Sequence, residues 1–286
     1  MRNLSEHELT DAVLAKLAGT RDDRLRTLMT ALVRHLHDFV REVELTEAEW
    51  FQAIQFLTAT GQKCDDKRQE FILLSDTLGV SMLVDAINHR LPEGATETTV
   101  FGPFYIGGAP ERQNGEDIAE GEPGEPAFMM GRAVDVDGRP LAGVQLDVWQ
   151  TDDEGYYDVQ RPERGEMRLR GKFRTDADGR WWFRTIRPVS YPIPTDGPVG
   201  VMLNATGRHP YRPAHVHFIV SAEGYKTIVT HLFMAGDEYL DSDAVFGVKN
   251  SLIVPFVGQP PGPMPDGRTS AVPFDLATYD FTLSPL

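Results

Sequence analysis

The hydrophobic pattern changes period near residue 92, and that change requires two architectures in one chain. Before it, apolar side chains recur at helical spacing. Leu28, Leu32, Leu36 and Val40 follow one another every four residues, which stacks them on one helix face. Trp50, Phe51, Ile54, Phe56 and Leu57 repeat at mixed three- and four-residue spacing after a Thr46-x-x-Glu49 capping box, and Ser5-x-x-Glu8 has the same form. Phe71 to Ile87 is a further helical stretch, interrupted near Gly79. From about Val100, short β-rich runs alternate with turns. The candidate strands are Ala127–Val136, Val144–Gln150, Trp181–Ile186, His215–Ala222 and Lys226–Ala235. Asp137-Gly138 and Asp178-Gly179 are hairpin-type signals. The expectation is an α+β chain, with a helical region over 1–99 followed by an antiparallel β-sandwich over 100–286. Gly107–Glu125, polar and glycine-rich, reads as an exposed loop.

Composition narrows the function. The formal net charge of −15 argues against nucleic acid and against electrostatic binding to anionic lipid. The N-terminal residues carry no long apolar run of the signal-peptide type, and no stretch is long enough to span a bilayer. A single cysteine, Cys64, excludes an intrachain disulfide and any cysteine-rich zinc site. The expectation is a soluble cytoplasmic protein in which any metal site uses nitrogen and oxygen ligands.

Arg212-Pro213-Ala214-His215-Val216-His217-Phe218-Ile219-Val220 sets two histidines two apart in an apolar, strand-like run. On a strand such residues share a face. Side by side, two imidazoles can hold one Fe, Zn, Cu or Ni ion; the alternative is a solvent-facing pair. Tyr156-Tyr157 follows a Thr-Asp-Asp-Glu-Gly turn, and Tyr191 sits in a segment with three prolines. Each tyrosine alone is far more often an ordinary half-buried aromatic than a ligand. His35-x-His37 repeats the histidine spacing within a helical stretch, where i and i+2 do not face each other, so it is set aside. His209 and His231 read as structural or surface residues. Asp176-Ala177-Asp178-Gly179 lacks the spacing and terminal Glu of a calcium loop and reads as a hairpin turn. No H-E-x-x-H motif supports a zinc hydrolase.

As a set, Gly155-Tyr156-Tyr157, Tyr191 before its proline-rich turn, and Arg212 to His217 resemble the intradiol ring-cleaving dioxygenases, and the resemblance covers nearly the whole chain. It implies one non-haem Fe(III) per chain, bound by Tyr157, Tyr191, His215 and His217. Tyr157 and His215 would be equatorial, Tyr191 and His217 axial, and Tyr191 would leave when substrate binds. The charges suit this: two phenolates and a hydroxide neutralise Fe(III), and a catechol dianion can replace one phenolate and the hydroxide. Arg212 would stabilise negative charge developing beside the iron.

The resemblance also implies a substrate pocket lined by Leu73, Asp76, Val100, Phe101, Gly102, Pro103, Phe104, Ile193, Pro194, Arg212 and Val245, although most of these could equally be core. Val100–Tyr105, Gln69–Gly79 and Ile193-Pro194 look like the branch that opens hydroxyquinol (benzene-1,2,4-triol) with O2. There, Asp76 would accept a hydrogen bond from the third ring hydroxyl, or would instead cap a helix or face solvent. A homodimer through the N-terminal helices, with a bound phospholipid at its interface, is implied too. The nearest alternative is a catechol or chlorocatechol 1,2-dioxygenase. A non-catalytic β-sandwich binding module would leave the paired tyrosines and histidines unexplained.

Overall fold

The computed structural model describes residues 2–66, 68–165 and 167–286. The chain forms two compact units, residues 1–59 and 60–286. In the first unit, α1 (Leu9–Leu17) packs on α2 (Asp23–Glu42), and α3 (Glu47–Gln62) begins. Thr46 and Glu49 complete a reciprocal capping box at the start of α3: Glu49 N donates to Thr46 Oγ1, and Thr46 N donates to Glu49 Oε2. At α2 the Asp22 carboxylate accepts from Leu25 N. His37 Nδ1 lies 3.0 Å from Thr10 Oγ1 and so serves helix packing. No residue of α2 is buried; Leu25, Leu28, Leu32 and Leu36 are 47–52% exposed.

The second unit opens with α4 (Glu70–Thr77) and α5 (Val80–Asn88), separated by Gly79 at φ +74°. The strands are β1 (Pro126–Asp135), β2 (Gln145–Trp149), β3 (Arg170–Arg174), β4 (Arg180–Ile186), β5 (Tyr191–Pro192), β6 (Tyr211–Arg212), β7 (His215–Ser221), β8 (Ile228–Met234), β9 (Ile253–Val254), β10 (Val257–Gln259), β11 (Gly262–Pro263), β12 (Thr269–Ser270), β13 (Phe274–Thr278) and β14 (Phe281–Leu283). Helix α6 (Pro198–Ala205) lies between β5 and β6. No described helix is long and apolar enough to cross a membrane.

Two five-stranded sheets form the sandwich. One has the order β3-β2-β7-β8-β9; the other runs β10-β13-β1-β14, with β4 also paired to β1. Inward residues alternate along each strand, as the period of two requires. Leu146 and Val148, Val216, Phe218 and Val220, and Trp181 and Phe183 all meet in one core. The sandwich is mixed rather than wholly antiparallel: β1 runs parallel to β13 and β14, and β8 runs parallel to β9.

Two local expectations are corrected. The Asp176–Gly179 turn forms, with Asp178 N and Arg180 N donating to the Asp176 carboxylate. Its flanking strands, however, enter different sheets, so it is a crossover and not a ladder hairpin. Gly107–Glu125 is not a free loop. Its backbone laces β3 to β4 through Arg112–Lys172, Gly115–Trp182 and Ile118–Arg184 bonds, and Ile118 and Ala119 are buried. Because it switches partner every few residues, it shows no single period in the sequence.

Gly131 marks the point where β1 exchanges β13 for β14 as its neighbour, and Tyr279 crosses there. A Cβ at 131 would lie 1.6 Å from the Tyr279 carbonyl oxygen. Gly131→Ala should therefore destabilise the fold by about 1–3 kcal/mol or more. Gly19→Ala, with nothing within 4 Å, should stay within about 0.5 kcal/mol of the parent. Urea melts of the two variants check the contrast.

Candidate metal centre

The face of β7 opposite the core carries His215 and His217. Register places Trp149 of β2 and His231 of β8 directly beside His217. The result is a row of rings across three strands: Trp149 stacks on His217 at 4.6 Å, and His231 meets it edge-on at 4.1 Å. Both β7 histidines are 2% exposed, and His231 is fully buried.

The tyrosines come from outside the sheets. Tyr157 follows a tight turn in which the Asp152 carboxylate accepts from Glu154 N and Tyr156 N. Gly155 within that turn has φ +85°, and a Cβ there would stand 2.7 Å from Tyr191 Cβ. A glycine is thus needed both for the turn and for the close approach of the two tyrosine-bearing loops. Tyr191 pairs with Arg212 in the short β5–β6 ladder. Ser190 Oγ donates to Asp237, and Ile193 N donates to Pro210 O, which pins the segment on both sides.

These elements bring four donor atoms together. Tyr157 Oη lies 2.7 Å from His217 Nε2 and 3.0 Å from Tyr191 Oη. Tyr191 Oη lies 3.4 Å from His215 Nε2, which is 3.2 Å from His217 Nε2. The His215 Nδ1–H donates to the Pro213 carbonyl, so the Nε2 lone pair faces the cluster. Burial drives the pKa of His215 and His217 well below the usual range; the Arg212 charge adds to it at His215, and the His215 imidazole and then Arg212 add to it at His217. The imidazoles are therefore neutral, the form that binds metals. Burial likewise pushes both phenols up; the adjacent Tyr191 hydroxyl adds to the rise at Tyr157, whereas Arg212 and the hydrogen bond with Tyr157 oppose it at Tyr191. Such phenols ionise only against a compensating cation. Neutral nitrogens and latent phenolates form an N2O2 donor set that fits a hard, highly charged ion.

His231, which the sequence alone assigns as structural or surface, is buried beside the donors. Its Nδ1 is 2.9 Å from Thr99 Oγ1, and among the described residues its Nε2 has no hydrogen-bond partner. His215, His217 and His231 each offer a ligand atom, all within 4.8 Å of one another. His209 instead packs on Tyr239, away from this group.

A pocket next to the donors is lined by Leu73, Asp76, Val100, Gly102, Pro103, Phe104, Tyr191, Ile193, Pro194, Arg212, His217 and Val245. Every sequence-derived pocket residue is present except Phe101, whose exposed ring packs on Tyr105 and Trp149. A roomier groove of about 500 Å³ along Gly207–His209 and Leu240–Val248 contains none of the donors. Arg212 is buried, with Nη1 3.3 Å from His215 Nε2 and Nε 3.1 Å from Asp243. Burial opposes its charge, but Asp243 and the two phenols outweigh burial, and the guanidinium stays protonated. Asp76 is 4% exposed; burial raises its pKa, while Ser81 and Arg212 pull the other way.

Sequence reasoning missed the supports. Arg170 donates through Nε to the Asp158 carboxylate and through Nη2 to the Phe104 carbonyl, fixing the residue after Tyr157 and a pocket wall together. These partners are 12 and 66 residues away from Arg170, and no local pattern announces such pairs.

Residues 100–283 match the dioxygenase family model, and residues 22–96 match the model for the catechol dioxygenase N terminus. The chain is 58% identical over 262 residues to a 6-chlorohydroxyquinol 1,2-dioxygenase of Cupriavidus pinatubonensis, covering 92% of this chain and 95% of the relative. It is 54% identical to a hydroxyquinol 1,2-dioxygenase of a Rhizobium species, over 88% of this chain and 85% of the relative. Among solved structures, a hydroxyquinol 1,2-dioxygenase from Pseudomonas putida superposes with a TM-score of 0.93 at 55% identity, over 98% of this chain and 99% of that one. The chain belongs to the intradiol ring-cleaving dioxygenases.

Proposed function

We propose that this enzyme opens hydroxyquinol with O2 between its adjacent hydroxylated carbons, giving 3-hydroxy-cis,cis-muconate, which tautomerises to maleylacetate. One observation carries the reading: Tyr157, Tyr191, His215 and His217 converge beside a pocket that also contains a buried carboxylate, Asp76. In this reading those four residues hold one Fe(III) per chain. Ferric iron, when bound, supplies the electron withdrawal that makes the ring reactive toward O2.

The chain's own groups do the rest. Tyr191 lines the pocket and Tyr157 does not, so Tyr191 Oη, which would be a phenolate when iron is bound, is the group placed to take a proton from a substrate hydroxyl. Arg212, permanently charged, faces the reacting carbons and stabilises negative charge developing there. Asp76 accepts the hydrogen bond of the third hydroxyl, and Leu73, Val100, Phe104, Ile193 and Val245 exclude water around the ring. The exposed α2 stripe of Leu25, Leu28, Leu32 and Leu36 supports a homodimer through the N-terminal helices, with a phospholipid between the copies.

Purified protein should contain about one iron per chain and be red-brown from phenolate-to-iron charge transfer. Colourless protein with stoichiometric zinc would overturn the assignment. His215→Ala and His217→Ala should each weaken iron binding by more than the roughly 10–100-fold typical of changes around a ligand. Tyr157→Phe should strip colour or metal. Tyr191→Phe should keep more iron than Tyr157→Phe yet turn over slowly; wild-type turnover would remove its proton-accepting role.

The substrate assignment is checked by kcat/KM for hydroxyquinol, 6-chlorohydroxyquinol, catechol and 4-chlorocatechol on one preparation. Hydroxyquinol should lead. Asp76→Ala should shrink its advantage over catechol by about tenfold, the worth of one lost hydrogen bond. Catechol leading in the parent protein would make it a catechol 1,2-dioxygenase instead.

Light scattering at micromolar concentration should give a dimer mass. Leu32→Asp combined with Leu36→Asp should shift it to monomer, and a mass unchanged by that pair would place the interface elsewhere.

A further inference from the structure

Arg212 poses an electrostatic problem. Its Nη1 lies 3.3 Å from His215 Nε2, a nitrogen that in the proposed function holds a cation. A guanidinium beside a metal ion is repelled, and burial removes the solvent that would screen the repulsion. Something must hold it there. The partner is Asp243, 5% exposed, which accepts from Arg212 Nε at 3.1 Å and from Nη2 at 3.3 Å.

The same carboxylate has a second task. Its Oδ1 accepts from Val245 N at 3.3 Å and its Oδ2 from Gly247 N at 2.9 Å. These bonds build the 243–247 turn, in which Phe246 takes φ +60°. Ala244 N donates to the Tyr211 carbonyl, one residue before Arg212. The turn presents Val245 to the substrate pocket. The fit around the guanidinium is close: a Cβ at Gly247 would lie 3.1 Å from both Arg212 Nη2 and Thr99 Oγ1, and 3.2 Å from Asp243 Oδ2.

We propose that Asp243 is a positioning residue that sets the Arg212 cation and the Val245 wall of the pocket as one unit. It touches neither substrate nor metal donors and acts through the two groups it holds. The inference rests on the proposed function for the role of Arg212, but the coupling of Arg212 to the turn stands on geometry alone.

The test uses the iron-loaded full chain. Asp243→Asn keeps the shape and removes the charge. Iron content and resting colour should match the parent, while kcat for hydroxyquinol falls by about 30-fold or more. Arg212→Lys should fall similarly. The double variant should lose clearly less than the product of the two single losses, because Asp243 can then act only through the Val245 turn. Losses that multiply in the double variant would overturn the proposal, as would Asp243→Asn turning over like the parent.

If Asp243→Asn does not fold, Gly247→Ala replaces it. It keeps every charge and crowds the cradle, and should lower kcat at unchanged iron content; parent-like turnover would count against the proposal. Hydrogen exchange read by mass spectrometry gives an arm independent of turnover. Arg212→Lys should speed exchange across residues 243–247, and unchanged protection there would overturn the claim of one unit. Should the parent chain cleave neither hydroxyquinol nor any catechol, the dioxygenase reading falls, while the exchange result still decides the coupling.

Discussion

The two-residue alternation of β7 is the constraint on which the rest depends. Val216, Phe218 and Val220 point into the sandwich core, and His215 and His217 point the other way. The same seven residues therefore anchor the fold and present two nitrogens. Register is held hard, because a slip of one residue would send the histidines into the core and the valines into the cluster. A close-packed core fixes the strand, and the strand fixes the imidazoles. Trp149 and His231, set beside His217 by the same register, close the row from either side.

Around this rigid row, burial sets the chemistry. It keeps the imidazoles unprotonated and the phenols protonated. A neutral cluster of this kind can sit in a low-dielectric interior by hydrogen-bonding to itself. Arg212 is the exception, a permanent charge among neutral groups, and it is tolerated because Asp243 faces it at ion-pair distance. Asp158 and Arg170 repeat the device at the residue after Tyr157. Breaking either pair by removing one partner would leave an uncompensated buried charge.

Features set by local periodicity were legible in the sequence. The strands around Met129, Val148, Phe183 and Val216 fall within two residues of where alternation puts them, and the helix break falls at Gly79. The histidine pair on one strand face follows from spacing alone. What was hidden depends on distant partners. Gly107–Glu125 carries no period because its backbone serves two edges in turn. Short strands such as Ile253–Val254 and Phe281–Leu283 are too brief to show alternation and exist through parallel pairing with strands far away in the chain. His231 looked ordinary because its significance comes from standing beside His217 across β7 and β8. Arg170, Asp158 and Asp243 looked like common charged residues until the fold paired them.

Gly155 carries a consequence for how such a site can vary. Its missing side chain lets the Tyr157 turn rest against the backbone side of Tyr191, so the two loops share one van der Waals surface. Neither can lengthen, tilt or change residue at that point without moving the other phenol. The pocket wall at Ile193 and Pro194 follows in the chain immediately beyond this contact. Variation in ring preference is therefore channelled away from the tyrosine loops and toward α4 and the 243–247 turn, which border the pocket without touching Gly155.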